Sequence, residues 1–375
     1  MANLSHFYGG IRALAMYLNW LHLLNFKNWE EKELQLEPGL TCLVGPNGRG
    51  KTNLLDAIYY LCFTKSFLNT SDTQAIRLNE SFFMLEGKFQ RNAHDEHIQV
   101  SVKRGQKKLV RRNKKEYEKL SDHIGLFPAV MVSPQTGIII TGSSEERRRW
   151  IDILLSQLSE QYLQNLINYQ RVLHQRNSLI KQMAESGRWD EVTLEIYDQQ
   201  LELYGTSVFT ARNNFVNELK DVIGKYYQFI TNGAEEVEVK LQSQLSSGEP
   251  LASQLAKSRG RDRSVQYTTV GVHKDDLDMN IQGMNIKKFA SQGQQKSFLM
   301  ALKLAEYHFL SQHLNMKPIL MLDDIFDKLD EHRIKKLLVK VSGEEFGQVL
   351  ITDTGSSKLR ELFTELGIQA GFYDI

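Results

Sequence analysis

Apolar and polar positions along this chain fall into two rhythms. Residues 16–24 and 31–36 read as strands around the turn Asn25-Phe26-Lys27-Asn28, and residues 82–89 and 98–103 alternate like half-exposed antiparallel strands. Short apolar runs at 40–44, 129–132, 319–322 and 349–352 suit buried strands. A helical period appears after residue 52, where Leu54, Leu55, Ile58, Leu61 and Cys62 form one stripe. It returns in Trp150, Ile151, Leu154, Leu155 and Leu158, then in Tyr162, Leu166, Tyr169 and Leu173. Gly187 breaks that pattern, and a second stripe from Ile196 through Phe215 to Tyr226 follows. Two long helices turning near 186–190 predict an antiparallel hairpin. Residues 243–263 are polar with Gly and Ser and are expected to be a loop. Helices are expected around Phe298–Phe309 and from Asp330 to Val341.

The expectation is an α/β chain built as a P-loop lobe with a mixed sheet, plus a mostly helical second lobe carrying a short antiparallel helical hairpin. The first lobe takes residues 16–142 and 264–375, the inserted lobe takes 143–263, and 1–15 is an N-terminal extension outside the fold. A length of 375 residues gives ample core, and a net charge of +1 gives no global pull toward nucleic acid or membrane. No apolar run reaches the roughly 18 residues of a membrane span. The 2 cysteines, Cys42 and Cys62, sit in apolar surroundings and read as core residues, which fits a reducing, cytoplasmic setting.

Chemistry enters at residues 45–52, Gly-Pro-Asn-Gly-Arg-Gly-Lys-Thr, which match G-x-x-x-x-G-K-[ST] at every fixed position. A chance match in a chain of this size is on the order of 1 in 100, and the strand before and helix after lower it further. Gly45, Gly48 and Gly50 let the backbone past Pro46 curl so that successive N–H groups, those of Asn47 and Arg49 among them, point inward at an anion. A helix starting near Lys51 adds its positive end. Lys51 would reach the β- and γ-phosphates of ATP, and Thr52 would sit on Mg²⁺.

The run 319–322 ends in Asp323 and Asp324. Acidic residues often cap buried strands, but a phosphate loop upstream gives these two a task. Asp323 would hold Mg²⁺ through water beside Thr52, and Asp324 would act as general base on the attacking water. Aspartate is one methylene shorter than glutamate, so turnover should be slow. Ser291-Gln292-Gly293-Gln294-Gln295 precedes a helix, and its N-terminus is either a phosphate site or a plain cap.

These motifs, in this order, resemble ABC-type ATPases of the SMC group, and most closely the RecF recombination-mediator family. The resemblance runs from Met16 onward. It rests on Asn25-Phe26-Lys27-Asn28, the phosphate loop with Asn53-Leu54-Leu55-Asp56-Ala57-Ile58, and Lys65-Ser66-Phe67. It also rests on Gly271-Val272-His273-Lys274-Asp275-Asp276-Leu277, the Ser-Gln-Gly-Gln-Gln signature, and Asp323-Asp324 with Asp327-Lys328-Leu329-Asp330. Departures are Val272 where proline is usual, Lys274 where arginine is common, and no histidine after the last strand, leaving Thr352 or Asp353 as γ-phosphate sensor.

The resemblance implies an ABC/SMC-type ATPase head and a composite site. The phosphate loop of one copy binds ATP, and signature residues Ser291–Gln295 of a second copy close on its γ-phosphate. Asp330 then lies in a D-loop at the dimer seam, and Gln135 is the candidate Q-loop glutamine at the metal. The implied protein is an ATP-dependent homodimer on double-stranded DNA near single-strand gaps, with weak, DNA-stimulated ATPase activity. RecR and RecO are implied partners, RecA is served indirectly, and no membrane is involved. Only about 240 residues separate Thr52 from Ser291, too few for a long SMC arm.

Between 103 and 115, eight of 13 residues are basic: Lys103, Arg104, Lys107, Lys108, Arg111, Arg112, Lys114 and Lys115. They are the first candidate for DNA phosphates, ahead of Arg147–Arg149 and Arg259–Arg263; the bland alternative is a solvated hairpin. Other classes remain open at this point: a transporter nucleotide-binding subunit, a small-molecule P-loop kinase, or a structural SMC-like protein. A transporter signature usually reads Leu-Ser-Gly-Gly-Gln, and a kinase would show no ATP-induced dimer.

Overall fold

Strand β1 (Met16–Phe26) buries alternate residues, and Leu18, Leu21 and Leu23 are inaccessible to solvent. The computed structural model describes residues 16–68, 71–91, 94–233, 235–324 and 330–375. The chain continues through β2 (Trp29–Gln35), β3 (Leu40–Val44), helix α1 (Lys51–Phe63), β4 (Phe82–Arg91), β5 (His94–Lys103), β6 (Leu109–Arg112), β7 (Lys115–Glu116) and β8 (Ala129–Val132). Next come helices α2 (Ile138–Thr141), α3 (Ser144–Leu158), α4 (Glu160–Ser186) and α5 (Glu191–Thr231), then β9 (Val237–Gln242) and α6 (Leu251–Val265). They are followed by β10 (Asp276–Ile281), β11 (Met284–Asn285), α7 (Ile286–Phe289) and α8 (Gln292–Leu314). The last part is β12 (Ile319–Leu322), α9 (Glu331–Val341), β13 (Val349–Asp353), α10 (Ser356–Leu366) and β14 (Gly371–Asp374).

The described residues form two compact units, one running to Thr136 and resuming at Lys303, the other spanning Gly137–Leu302. The sheet unit holds an antiparallel sheet ordered β2-β1-β4-β5-β6-β7 and a parallel sheet ordered β14-β3-β13-β12-β8. Strands β3, β8 and β12 are buried at every residue, as expected where helices cover both faces of a parallel sheet. Helix α1 packs against strands of both sheets, which explains why its apolar stripe widens until only Thr52 and Asn53 escape burial.

The helical unit centres on α4 and α5, of 27 and 41 residues, or about 40 and 60 Å at 1.5 Å per residue. Gly187, left-handed at φ 69°, ends α4, and the Asp190 carboxylate accepts the Thr193 N–H to start α5. Around them lie largely buried ion networks. Arg176, fully buried, meets Asp198 and Asp262, each at 2.7 Å. Arg212 meets Asp152 at 2.9 Å and Asp275 at 2.8 Å.

Two expectations change. Residues 251–265 are helix α6 rather than loop, because Leu251 and Leu255 bury one side of a segment rich in good helix formers. The seam also moves from the expected 143–263. Strand β10 pairs antiparallel with β9, and that ladder carries residues 264–302, including the signature, into the helical unit.

Candidate nucleotide site

The expected phosphate loop leaves the C-terminal end of β3 and turns into α1. Gly50 has φ 103°, and a Cβ there would sit 2.5 Å from Asn28 Nδ2 and 2.7 Å from Trp29 Nε1. Only glycine fits so tight an approach at that φ. Those neighbours brace the loop: Asn28 Nδ2 donates to Arg49 O at 3.2 Å, and Trp29 Nε1 donates to Gly50 O at 3.3 Å. Lys51 is buried, its ammonium donating to Gly45 O at 2.6 Å and Pro46 O at 2.9 Å. The cation therefore lies over the loop that would receive the phosphates.

Strand order brings the other residues to the same edge. Strand β13 lies between β3 and β12, and β8 flanks β12, so Asp323, Asp324 and the turn holding Gln135 follow C-terminal strand ends, with Thr352 near the end of β13 beside them. This is where ligands sit in parallel sheets. Asp323 Oδ1 accepts from Thr52 Oγ1 at 2.9 Å and from Thr352 Oγ1 at 2.7 Å. Burial pushes the Asp323 carboxyl above the usual carboxylate range, while those two hydroxyls pull it back. Asp324 has a left-handed backbone, φ 51°, and its N–H donates to Thr352 Oγ1 at 3.0 Å. One hydroxyl thus holds both acids. Thr352 is named in the sequence only as an alternative sensor; its place between the acids comes from strand order, which one sequence does not reveal.

The donor set suits Mg²⁺. A hydroxyl and a carboxylate oxygen 2.9 Å apart are hard ligands, and no group of three or more His, Cys, Asp or Glu among the described residues forms a cation cage. Mg²⁺ in phosphate sites takes one or two protein carboxylates and completes its shell with phosphates and water. Gln135 is exposed, in the turn Pro134–Gly137 just past β8.

The signature lies in the helical unit at the start of α8. Gln294 N–H donates to Ser291 Oγ at 3.2 Å, and Gln294 Oε1 accepts the Ser291 N–H at 2.8 Å, a reciprocal capping box. Gln295 Nε2 donates to the carbonyls of Ile286 and Ala290, both at 3.3 Å. Ser291 and Gln292 stay exposed, and Gly293 is half-buried. Asp330 caps α9 by accepting the Arg333 N–H at 3.0 Å; the remaining D-loop residues, 327–329, lie outside the described residues.

The RecF/RecN/SMC N-terminal domain model matches residues 17–370. The chain is 45% identical to the DNA replication and repair protein RecF of Flavobacterium johnsoniae over 90% of this chain and 94% of that one. The Parabacteroides distasonis protein of the same name is also 45% identical, over 92% and 94%. The chain belongs to the RecF family. A solved structure of the recombination mediator protein RecF with ATP superposes with a TM-score of 0.86 at 30% identity, covering 93% of this chain and 95% of that one. The Smc head domain of Pyrococcus furiosus, at 16% identity and TM-score 0.53, shares the fold. The fold is therefore the ABC/SMC-type ATPase head expected from the motifs.

Residues that mark the RecF resemblance meet at one buried acid. Asp56, without solvent access, takes the Lys27 ammonium at 2.6 Å, the Ser66 hydroxyl at 2.7 Å and the Phe67 N–H at 2.7 Å. It ties the 25–28 turn and the 65–67 segment to α1, just behind the phosphate loop. A carboxylate inside the apolar run of α1 is the one sequence signal of such a buried partner. The second marker block acts alike in the helical unit: His273 Nδ1 is 2.7 Å from Tyr169 OH, Asp275 pairs with Arg212, and Asp276 pairs with Arg147 at 2.5 Å.

The basic run is not one patch. Lys108 is built into the sheet unit, its ammonium on Thr64 O at 2.5 Å and Asp72 at 2.8 Å. Arg112 pairs with Glu96, whose carboxyl it holds below the usual range. Lys103, Arg104 and Lys107 cluster at the β5–β6 turn, whereas Lys114 and Lys115 lie at the β6–β7 turn, the far end of a four-residue strand. Arg111 is exposed on the strand between. Of the lesser candidates, Arg147 and Arg148 are spent on Asp276 and the Asp275 carbonyl, and Arg259 on Glu191 and Asp198.

Proposed function

We propose that this protein is an ATP-gated, DNA-binding recombination mediator whose two copies close on nucleotide. The observation that carries the reading is the hydrogen-bonded set Thr52, Asp323 and Thr352 beside the phosphate loop, together with an exposed, capped signature serine in the other unit. Triphosphate oxygens would be met by the loop N–H groups of residues 47–50 and the N-terminus of α1. Lys51 would exchange the Gly45 and Pro46 carbonyls for the β- and γ-phosphates. Thr52 and Asp323 would hold Mg²⁺, which supplies charge neutralisation at the phosphates. Ser291 of a second copy would donate its hydroxyl to the γ-phosphate.

Hydrolysis needs a water in line with the γ-phosphorus. Asp324, its backbone pinned by Thr352, would take that water's proton as oxygen bonds to phosphorus and ADP leaves. Loss of the γ-phosphate removes the contact to the partner serine, and the pair opens. The closed pair would grip double-stranded DNA near single-strand gaps. There it would act with RecR and RecO to help load RecA, with slow, DNA-stimulated hydrolysis resetting the cycle. The likeness to solved structures described as a recombination mediator in the RecFOR pathway supports this reading.

The test is solution mass with ATP and with ADP, with and without gapped duplex DNA. Wild type should pair with ATP and part with ADP. Lys51→Met should lose nucleotide, Ser291→Arg should bind ATP and stay single, and Asp324→Asn should accumulate closed pairs. Normal pairing by Ser291→Arg would sink the composite site.

A further inference from the structure

The signature serine is held by more than its own helix. Gln294, which closes the capping box on Ser291, donates its other end, Nε2, to Glu235 Oε1 at 2.5 Å. Glu235 Oε2 in turn accepts the Tyr227 hydroxyl at 2.6 Å. Tyr227 is fully buried in the last turns of α5, and its ring lies 6.4 Å from that of Phe298 on the signature helix. A chain of three side chains therefore runs from the long helix of the hairpin to the residue facing a second copy.

Its chemistry has a direction. A carboxylate only accepts, so at 2.5 Å it must be met by the amide NH₂ of Gln294. The amide oxygen is then turned toward the Ser291 N–H, as the capping box requires. Reversed, the amide would set an N–H donor against that N–H. The Ser291 hydroxyl accepts the Gln294 N–H with one lone pair and keeps its own hydrogen for another acceptor. The backbone N–H groups of Gln292 and Gly293, at the helix start, have no intrahelical acceptor.

We propose that Glu235, anchored by Tyr227, is a positioning residue that fixes the Gln294 amide and so presents Ser291 and the first turn of α8 to the γ-phosphate bound by another copy. This rests on the composite-site reading above. It makes the hairpin base, rather than the phosphate loop, the place where the strength of ATP-driven pairing is set. An altered end of α5 would reach Ser291 through three hydrogen bonds.

The experiment measures three quantities for wild type, Glu235→Ala, Gln294→Glu, and Glu235→Gln combined with Gln294→Glu. They are fluorescent-ATP affinity of the dilute single chain, sedimentation mass across a concentration series with ATP, and thermal midpoint. Losing one cap corresponds to about fivefold per site, and with two sites per closed pair to about twenty-five-fold weaker pairing. Glu235→Ala should show that loss with single-chain ATP affinity within about twofold. Gln294→Glu should be worse, since two carboxylates would meet. The double variant should recover pairing: the amide introduced at position 235 donates to the carboxylate introduced at position 294 and still accepts from Tyr227. Overturning results are unchanged pairing by Glu235→Ala, a drop in thermal midpoint without loss of pairing, or no recovery in the double variant. Wild type that ignores ATP would overturn the composite site and this proposal together.

Discussion

In the sheet unit, buried carboxylates differ: Asp56 takes the Lys27 ammonium and Glu96 takes Arg112, whereas Asp323 is faced by two hydroxyls and burial pushes its carboxyl up. In the helical unit, buried guanidiniums each meet two carboxylates, Arg176 with Asp198 and Asp262, Arg212 with Asp152 and Asp275. Both arrangements bury charge, which is costly unless compensated. The helical networks carry their own cations, although Arg176 Nη2 and Asp275 Oδ1 make no hydrogen bond and burial raises the Asp275 carboxyl as well. The Asp323 site is left short of positive charge, which is the condition for taking up a divalent cation with a polyphosphate. On the proposed function, a buried acid without a paired cation marks the nucleotide site, and one with a paired cation marks architecture.

The sharpest way to break this contrast is to remove one charge from each kind of site. Arg212→Met leaves Asp275 and Asp152 without their cation and should cost about 3 to 5 kcal/mol of stability, read by urea denaturation. Asp323→Asn keeps an acceptor for both hydroxyls while removing a poorly compensated charge. Its stability should hold or rise, and ATP turnover should fall by about a hundredfold or more. If the two variants exchanged phenotypes, the distinction between architecture and chemistry would fail.

Acid should act on both units through one histidine each. Burial lowers His123 and His273 to about 4, from about 6.5 in the unfolded chain. His123 lies between Leu61 O at 2.7 Å and Tyr117 OH at 3.2 Å, and His273 between Tyr169 OH and Thr268 O. A depressed folded value means the unfolded chain binds more protons between those limits. The contribution is thus full above pH 6.5 and lost as pH falls toward 4. Between pH 7 and 5 each histidine should remove about 2 kcal/mol. Trp20 and Trp29 report the sheet unit, Trp150 and Trp189 the helical unit, so single-tryptophan variants separate the two. Stability flat from pH 7 to 5 in either unit would show that its histidine charges without cost.

The contrast also explains how much of the fold and the site is legible in the sequence. The strand, glycine loop and helix around residues 45–52, the acids after β12, and the hairpin stop at Gly187 with its cap Asp190 are local, so spacing carries them. Pairings over long separations are not legible. Arg176 and Arg212 sit on helices where an arginine looks solvated, and only the fold brings Asp262 and Asp275 to them. Likewise, nothing near residue 240 announces that β9 pairs with β10, so the unit seam falls elsewhere than composition suggests. Helix α6 is hidden because its Gly and Ser outweigh the Leu251–Leu255 spacing that buries it. Thr352 needs strand order: β13 has to be placed between β3 and β12 before its hydroxyl can reach both acids.

The smallest expected effects concern DNA, the proposed partner, for which each unit offers exposed cations. Each lost phosphate contact lowers the slope of log K against log salt by about 0.9. Replacing Lys103, Arg104 and Lys107 together with Ala touches only exposed cations at the β5–β6 turn, unlike Lys108 and Arg112, whose loss would confound binding with folding. That triple variant should keep its thermal midpoint and flatten the slope by between about 2 and 3. Lys114→Ala with Lys115→Ala, at the opposite end of β6, should flatten it by at most about 2, since two cations are lost rather than three. Arg261→Ala with Arg263→Ala supplies the counterpart in the helical unit, where both side chains are exposed. A salt titration in which only that last pair changes the slope would move the DNA contact to the helical unit. Its exposed cations would then be functional even though its buried ones are structural, so the contrast between the units would hold only for buried charge.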